Sequence, residues 1–252
     1  YFRWLGELAH GNLGVSYRTG HAVWDTVAER IGPTCLITFS SLFLSILIAI
    51  PLGIMSAYKP YSLWDYASSG LSFMGAAMPN FFAGLVLIYV FSVKLKILPS
   101  SGMYDSSGAH LTGTLIKHMI LPVLVLSVQQ VGSLIRQTRG SMLEVLQDDY
   151  IRTARSKGCR EERMLVHHAM RNALAPVVTR IGSMIPFLIG GAVVTEQLFA
   201  WPGLGSLMVL SINSRDYPVI MGITVLIAAA VLVGNIIIDI AYGLLDPRIR
   251  YS

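Results

Sequence analysis

The sequence predicts an all-α fold, a polytopic bundle of helices embedded in a membrane. Three observations carry this reading. Hydrophobic residues make up 54% of the 252 positions and charged residues only 13%, where an ordinary soluble domain is about a quarter charged. Charge-free stretches long enough to cross a ~30 Å hydrocarbon layer, which takes about 20 helical residues, recur along the chain. The charges themselves gather in one interval, Asp148 to Pro176, which water must reach.

Residues 1–33 are mixed. Trp4, Leu5 and Leu8 suit a short amphipathic helix, and Gly11, Gly14 and Gly20 break the chain after it. Val23, Trp24, Val27, Ala28 and Ile31 then form a helical stripe opposite Asp25, Glu29 and Arg30, the pattern of an interfacial helix lying on the bilayer. No charge occurs from Ile31 to Tyr58, and a first span is expected over residues 34–58. Lys59, Pro60 and Asp65 mark a polar turn before a second span over 66–93. Gly70, Gly75 and Gly84 there let helices approach closely. Pro79 and Asn80 predict a break whose amide faces a pathway.

A polar loop, Lys94 to Lys117, precedes the third span over 118–138, which opens with Pro122 and carries Gln129, Gln130 and Ser133 towards Arg136 and Arg139. Two adjacent glutamines at that depth cannot both face lipid cheaply, so at least one points into the bundle or a water-filled route. The fourth span, 174–195, holds Pro176, Gly182 and Pro186, with Arg180 about two turns in, where it can snorkel to the headgroups. Pro79, Asn80, Gln129, Gln130 and Pro186 are thus candidates for the lining of a pathway. Glu196 ends that span. A Pro-, Gly- and aromatic-rich loop from Leu198 to Gly205, with Asn213 to Pro218, implies turns anchored at the interface. The fifth span covers 218–243 with Asn235 and Asp239 on one face, and residues 248–252 form a tail.

The charged interval holds Arg152, Arg155, Lys157, Arg160, Arg163 and Arg171 with Asp148, Asp149, Glu161 and Glu162. Leu143, Leu146, Tyr150 and Ala154 form one apolar stripe at three- and four-residue steps; Leu165, Ala169 and Ala173 form another. Gly158 stands where the first stops, after cations that complement a helix C-terminus. The pattern is that of a helix, a sharp turn and a second amphipathic helix, displayed outside the membrane.

Two runs in this interval, Tyr150-x-Arg152-Thr153-Ala154-Arg155-x-Lys157-Gly158 and His168-Ala169-x-Arg171-Asn172-Ala173-x-x-Pro176, resemble the EAA loop of permease subunits in binding-protein-dependent ABC importers. The fit is closest to the dipeptide, oligopeptide and nickel subfamily. The broad pattern's Glu-Ala-Ala is here Arg152-Thr153-Ala154, and its later Leu-Pro is Met170-Arg171, departures usual for that subfamily. Gly11 to Ser16, Val23 to Arg30, Trp201-Pro202-Gly203-x-Gly205, Arg215-Asp216-Tyr217-Pro218 and the closing Leu245 to Arg250 resemble it as well.

The resemblance implies an external segment at 1–33, a type-1 importer transmembrane domain over 34–247 and an EAA loop at 141–175. Ala154, Lys157, Gly158, Cys159, Arg160, Glu161, Glu162 and Arg163 would meet a cytoplasmic ATP-binding subunit, with Ala154 and Gly158 packed where larger side chains clash. Trp201, Pro202, Gly203, Gly205, Asp216 and Tyr217 would face an extracytoplasmic substrate-binding protein. Other implied partners are a second, homologous permease subunit, a second ATP-binding subunit and membrane lipid, in a bacterial inner membrane. Relatives carry one more helix upstream, and a chain that begins at Tyr1 is expected to start partway into a longer polypeptide. Peptides, nickel chelates and glutathione are all cargoes of systems that share these motifs.

With the charged interval in the cytoplasm, alternation places twelve Lys and Arg inside and seven outside, in accord with the positive-inside rule. The basic residues flank apolar spans, the pattern of cytoplasmic loops, so no nucleic-acid partner is expected. No Gly-x-x-x-x-Gly-Lys loop is present to cradle a nucleotide. His167 and His168 are adjacent and diverge on a helix, and two cysteines, Cys35 and Cys159, give no metal-ligand spacing. The expectation is a non-enzymatic subunit that binds no cofactor, with ATP and Mg used by its partners. Two other classes remain open: an ion-coupled secondary transporter, which would need titratable groups at mid-membrane, and a non-transporting membrane scaffold.

Overall fold

The computed structural model describes residues 6–8, 10–104 and 112–245. Among these it is helical, with no strand beyond one isolated bridge between Val15 and Ala22. The helices are α1 (Val23–Tyr58), α2 (Leu63–Ala77), α3 (Asn80–Leu87), α4 (Thr112–Leu146), α5 (Asp149–Ser156), α6 (Glu161–Arg163), α7 (Met170–Gly191), α8 (Val193–Leu198), α9 (Leu204–Asn213) and α10 (Tyr217–Leu245). π-Helical stretches, Ile88–Lys94 and Met164–Ala169, extend α3 and join α6 to α7.

Among the described residues three helices are long and apolar enough to cross a membrane, in α1, α4 and α10, and α2 with α3 and its π-helical extension makes a fourth if the broken pair is one span. The expected second span is therefore two helices. Met78 leaves the helix with φ −91° and ψ 121°, as a residue before proline is biased to do, and Pro79 has no N–H to continue the ladder. A second correction concerns residues 23–31. They are the first turns of α1, a continuous helix of 36 residues, about 54 Å long. Their apolar stripe does not lie on lipid: Val23 and Val27 are fully buried in a cluster with Leu204, Leu207, Val219 and Ile223. The expected helix at Trp4 to Leu8 falls largely outside the described residues.

The chain divides into two compact units. The first comprises residues 1–41, 80–126 and 186–233. Besides the cluster around Val23, it packs Leu121, Val125 and Phe199 against Leu87, Ile88 and Phe91. The second unit comprises residues 42–79, 127–185 and 234–252. It holds one core of Ala49, Val131, Leu134, Ile135, Val177 and Met184 and another of Ala57, Met142, Ile151, Met164, Ala169 and Ala173. Within it α2 lies close on α4: a methyl group added at Gly132 would stand 2.8 Å from the Ser72 carbonyl oxygen, and one at Gly75 2.5 Å from that of Val128. Small residues make this approach possible.

Candidate functional site: a charged elbow and its supports

α4 carries the chain through Arg136 and Arg139 to Leu146, and Asp148, extended at φ −65° and ψ 146°, restarts the helix as α5. That interruption resets the helical phase. The expected inward pair Tyr150 and Ala154 gives way to Ile151, which is 1% exposed, while Tyr150 is exposed and Ala154 half-buried. α5 ends in a left-handed Gly158 at φ +75°. Cys159 N–H donates to the Ala154 carbonyl at 3.2 Å and Gly158 N–H to that of Arg155 at 3.0 Å, the paired bonds of a Schellman cap. The turn expected at Gly158 is where the structure has it.

The second limb runs from Glu161 through the π-helical stretch into α7. Its buried residues are Met164, Ala169, Ala173 and Val177. The five-residue step from Met164 to Ala169 is the π-helical turn, and it replaces the expected Leu165, now half-buried, with Met164. Ile151, Met164, Ala169 and Ala173 pack on Ala57 at the end of α1 and Met142 near the end of α4. Asn172 Nδ2–H donates to the Tyr150 hydroxyl at 2.8 Å, tying the two limbs together. Outward the elbow offers Lys157, Gly158, Arg160, Glu161 and Arg163, all exposed, with Ala154 and Cys159 half-buried; the Glu162 side chain lies outside the described residues. A side chain added at Gly158 would meet nothing within 4 Å. Within this chain only its backbone conformation requires glycine there.

The elbow is also bonded to the turn between α1 and α2. The Tyr58 hydroxyl donates to Glu161. Three residues beyond Tyr58, Tyr61 takes a left-handed φ of 63° and its N–H donates to Asp65 Oδ2 at 2.9 Å. Asp65 is buried and receives a forked guanidinium: Arg139 Nε–H donates to Oδ1 at 2.9 Å and Nη2–H to Oδ2 at 3.1 Å. Ser56 Oγ donates to the same Oδ1 at 2.5 Å. The sequence places Asp65 in a polar turn and Arg139 beside Arg136 near a span's end, and no local pattern pairs residues 74 positions apart.

The candidate pathway residues separate. Gln130 is 8% exposed and accepts a 3.2 Å bond from Ser45 Oγ, whereas Gln129 is exposed. Pro79 is exposed at the helix break and Asn80 half-buried at the start of α3. The Pro186 side chain lies outside the described ones. Arg180 is exposed, and its Nη2–H reaches Ser133 Oγ on α4 at 3.3 Å.

The loop expected to face a binding protein turns inward in the first unit. Glu196, fully buried, accepts from Thr34 Oγ1 at 2.6 Å and from Ser206 N–H at 2.9 Å. Thr34 Oγ1 in turn accepts from Leu204 N–H at 2.8 Å. Gly203 lies so close that an added methyl would overlap Glu196 Oε1, and one at Gly205 would stand 2.6 Å from Val193 Cα. Trp201 is fully buried, with Nε1–H donating to the Pro33 carbonyl at 2.9 Å. Asp216, 2% exposed, accepts from Ser16 Oγ at 2.5 Å and from Tyr17 N–H at 3.0 Å. Burial pushes its carboxyl up, but the Ser16 hydroxyl and the N–H groups of Tyr17, Arg18 and Val219 outweigh that and hold it below the usual carboxylate range. Trp201, Gly203, Gly205 and Asp216 therefore build this unit rather than present it. Pro202 is half-buried, and Tyr217 is the exposed member of the set.

Among the described residues, no group of three His, Cys, Asp or Glu side chains could hold a metal ion.

Comparison with known proteins agrees with this architecture. Residues 49–251 match the family model described as the inner membrane component of binding-protein-dependent transport systems. The chain is 48% identical over its full length to the oligopeptide transport system permease AppB of Bacillus subtilis, of which it covers 80%. It is 36% identical to the dipeptide transport system permease DppB of Escherichia coli, again over all of this chain and 80% of the relative. Among solved structures, the methionine ABC transporter MetNI in an inward-facing conformation matches with a TM-score of 0.68 at 16% identity, covering 87% of this chain and 96% of that one. An amino acid ABC transporter crystallised with histidines matches at 0.66 and 11% identity, covering 95% and 97%.

Proposed function

This chain belongs to the binding-protein-dependent transport family of inner membrane components, and we propose that it carries peptides inward by yielding, at the Gly158 elbow, to the movements of partner ATPases. It is a membrane-embedded permease subunit of an ABC importer. The relatives named for oligopeptide and dipeptide transport support peptides as cargo. In this reading the chain crosses the bilayer five times and pairs with a second, homologous permease. Two cytoplasmic subunits bind and hydrolyse ATP with Mg, this chain catalyses nothing itself, and an external binding protein delivers the cargo.

The observation that carries the coupling role is the elbow's build. Its outer side is exposed and charged, and its inner side is packed on the ends of α1 and α4 and continuous with α7. Packed helices move as near-rigid units, so force applied at Lys157 to Arg163 is delivered to α1, α4 and α7 together. ATP binding can favour one state of the transporter only through contacts that differ between states.

Gly158→Asn tests this. Asparagine tolerates the left-handed region at small cost, and the added side chain meets nothing in this chain. The elbow should keep its fold, seen as unchanged exchange protection of the Cys159 amide, while ATP-driven uptake and ATPase association fall. Full uptake by this variant would remove the coupling role.

A further inference from the structure

Of the three long apolar helices α4 is the most enclosed, with 67% of its most apolar stretch buried, against 11% for α10. Between Leu121 and Met142 its exposed residues are Gln129, Arg136 and Gly140, at steps of seven and four, with Ser133 half-buried between the first two. These share one helical face, and it carries no apolar side chain. The middle turns of α1 and the second half of α10 expose mostly apolar side chains instead: Phe39, Phe43 and Leu47 on one, and Leu232, Val233, Ile236, Ile237 and Ile240 on the other, with Asn235 the polar residue among them. Those faces suit lipid. A face of glutamine, serine, arginine and glycine does not, because an arginine within the hydrocarbon is costly unless it meets water or a counter-charge.

The neighbouring helix adds to the same face. Arg180 of α7 is exposed and reaches across to Ser133 Oγ, 3.3 Å away. Arg136, one turn beyond Ser133, is held by Nη1–H bonds to Ser72 Oγ at 2.7 Å and to the Ser72 carbonyl at 3.1 Å. Both bonds leave from Nη1, so the edge formed by Nε–H and Nη2–H is not used by them. A guanidinium offers five N–H donors in a fork that matches a carboxylate. Among the described residues no acidic side chain is bonded to either head: both are held by serine groups.

We propose that Arg136 and Arg180 form a carboxylate-recognition site on the wall of the translocation route, taking the C-terminal carboxylate of a peptide in transit. The site rests on the peptide reading above. A free peptide of any sequence ends in a carboxylate, so two arginines on a polar wall would serve cargo of varied side chains without reading them. Hydrogen bonds to serine keep the heads in place while leaving donors for the cargo.

The test compares one peptide as its free acid and as its C-terminal amide, both taken up by proteoliposomes holding the full-length permease with its partner permease, ATPases and binding protein. Arg136→Gln and Arg180→Gln, singly and together, are set beside Lys variants that keep the charge and lose the fork. Because the binding protein is the same throughout, its own preference cancels when the acid-to-amide ratio of each variant is divided by that of wild type. Loss of poorly folded assemblies cancels in the same way. The double Gln variant should reduce the ratio roughly tenfold, the scale of one charge-assisted hydrogen bond, and the Lys variants less. An unchanged ratio overturns the site. So does a defect that follows the anionic lipid content of the vesicles, which assigns the arginines to headgroup phosphates, or loss of the partner permease from the purified Gln variants, which assigns them to the subunit interface. Absence of ATP-dependent uptake of either peptide by wild type removes the peptide reading itself.

Discussion

Asp65→Asn should loosen the turn between α1 and α2 and, through Tyr58, the seat of the elbow. In wild type the carboxylate accepts two bonds from Arg139 and one each from Ser56 and Tyr61 N–H. The amide keeps one acceptor oxygen, loses the charge and leaves the guanidinium without its forked partner. Breaking a fully buried ion pair costs about 3–5 kcal/mol. Here Asp65 is 9% exposed but the Arg139 side chain 33%, so water reaches the orphaned cation and about 2 kcal/mol is expected. The assay is equilibrium unfolding of the full-length permease in mixed micelles, as a double-mutant cycle with Arg139→Gln. The two changes should couple by about 1–2 kcal/mol, because once one partner is gone the other contributes little. Exchange of the Tyr61 amide, held at a left-handed φ by Asp65, should quicken in the single variant. Additive effects within about 0.5 kcal/mol, with the Tyr61 amide as protected as before, would refute the assigned role of the pair.

Gly203→Ala should destabilise the first unit by about 1–3 kcal/mol, the usual cost of overpacking, since its methyl would overlap a buried carboxylate oxygen; proteolysis of the α8–α9 turn in membranes would report it, and wild-type resistance would count against the cradle. Asp216 is held below the ordinary carboxylate range, so its tie to the Ser16–Arg18 loop is fully present above about pH 4 and is lost as pH falls through its lowered folded value. Exchange protection of the Tyr17 amide should drop on acidification in wild type, and Asp216→Asn should show at neutral pH the weakened protection that wild type shows only in acid. A Tyr17 amide equally protected in wild type and variant would contradict this.

Much of the architecture was legible because its causes are local. Charge-free length marked α1, α4 and α10, Pro79 marked the helix break, and Gly158 marked the elbow, since a positive φ after a cationic last turn favours one residue type. What was not legible depends on packing over distance. No periodicity could say that Ile151 rather than Tyr150 faces the core, because the phase is reset at Asp148, nor that a π-helical turn substitutes Met164 for Leu165. Composition gives a turn-rich loop at the interface, and the family resemblance alone turns its residues towards a binding protein; Trp201, Gly203 and Asp216 instead contact Pro33, Glu196 and Ser16, partners up to 200 residues away. Depth in the span points Arg180 towards the headgroups, while its bond to Ser133 on a second helix depends on packing that no local pattern shows.

In the proposed mechanism, partner ATPases act on this subunit through the exposed side of the elbow. The most direct test is site-directed cross-linking in native membranes, with Cys35 and Cys159 replaced by serine and a single cysteine introduced in place of Arg160. A cross-link to the ATP-binding subunit that forms in a nucleotide-dependent manner, and that stops peptide uptake until it is reduced, is the expected result. Cross-linking to external reagents only, or an ATPase adduct that leaves transport untouched, would contradict the account.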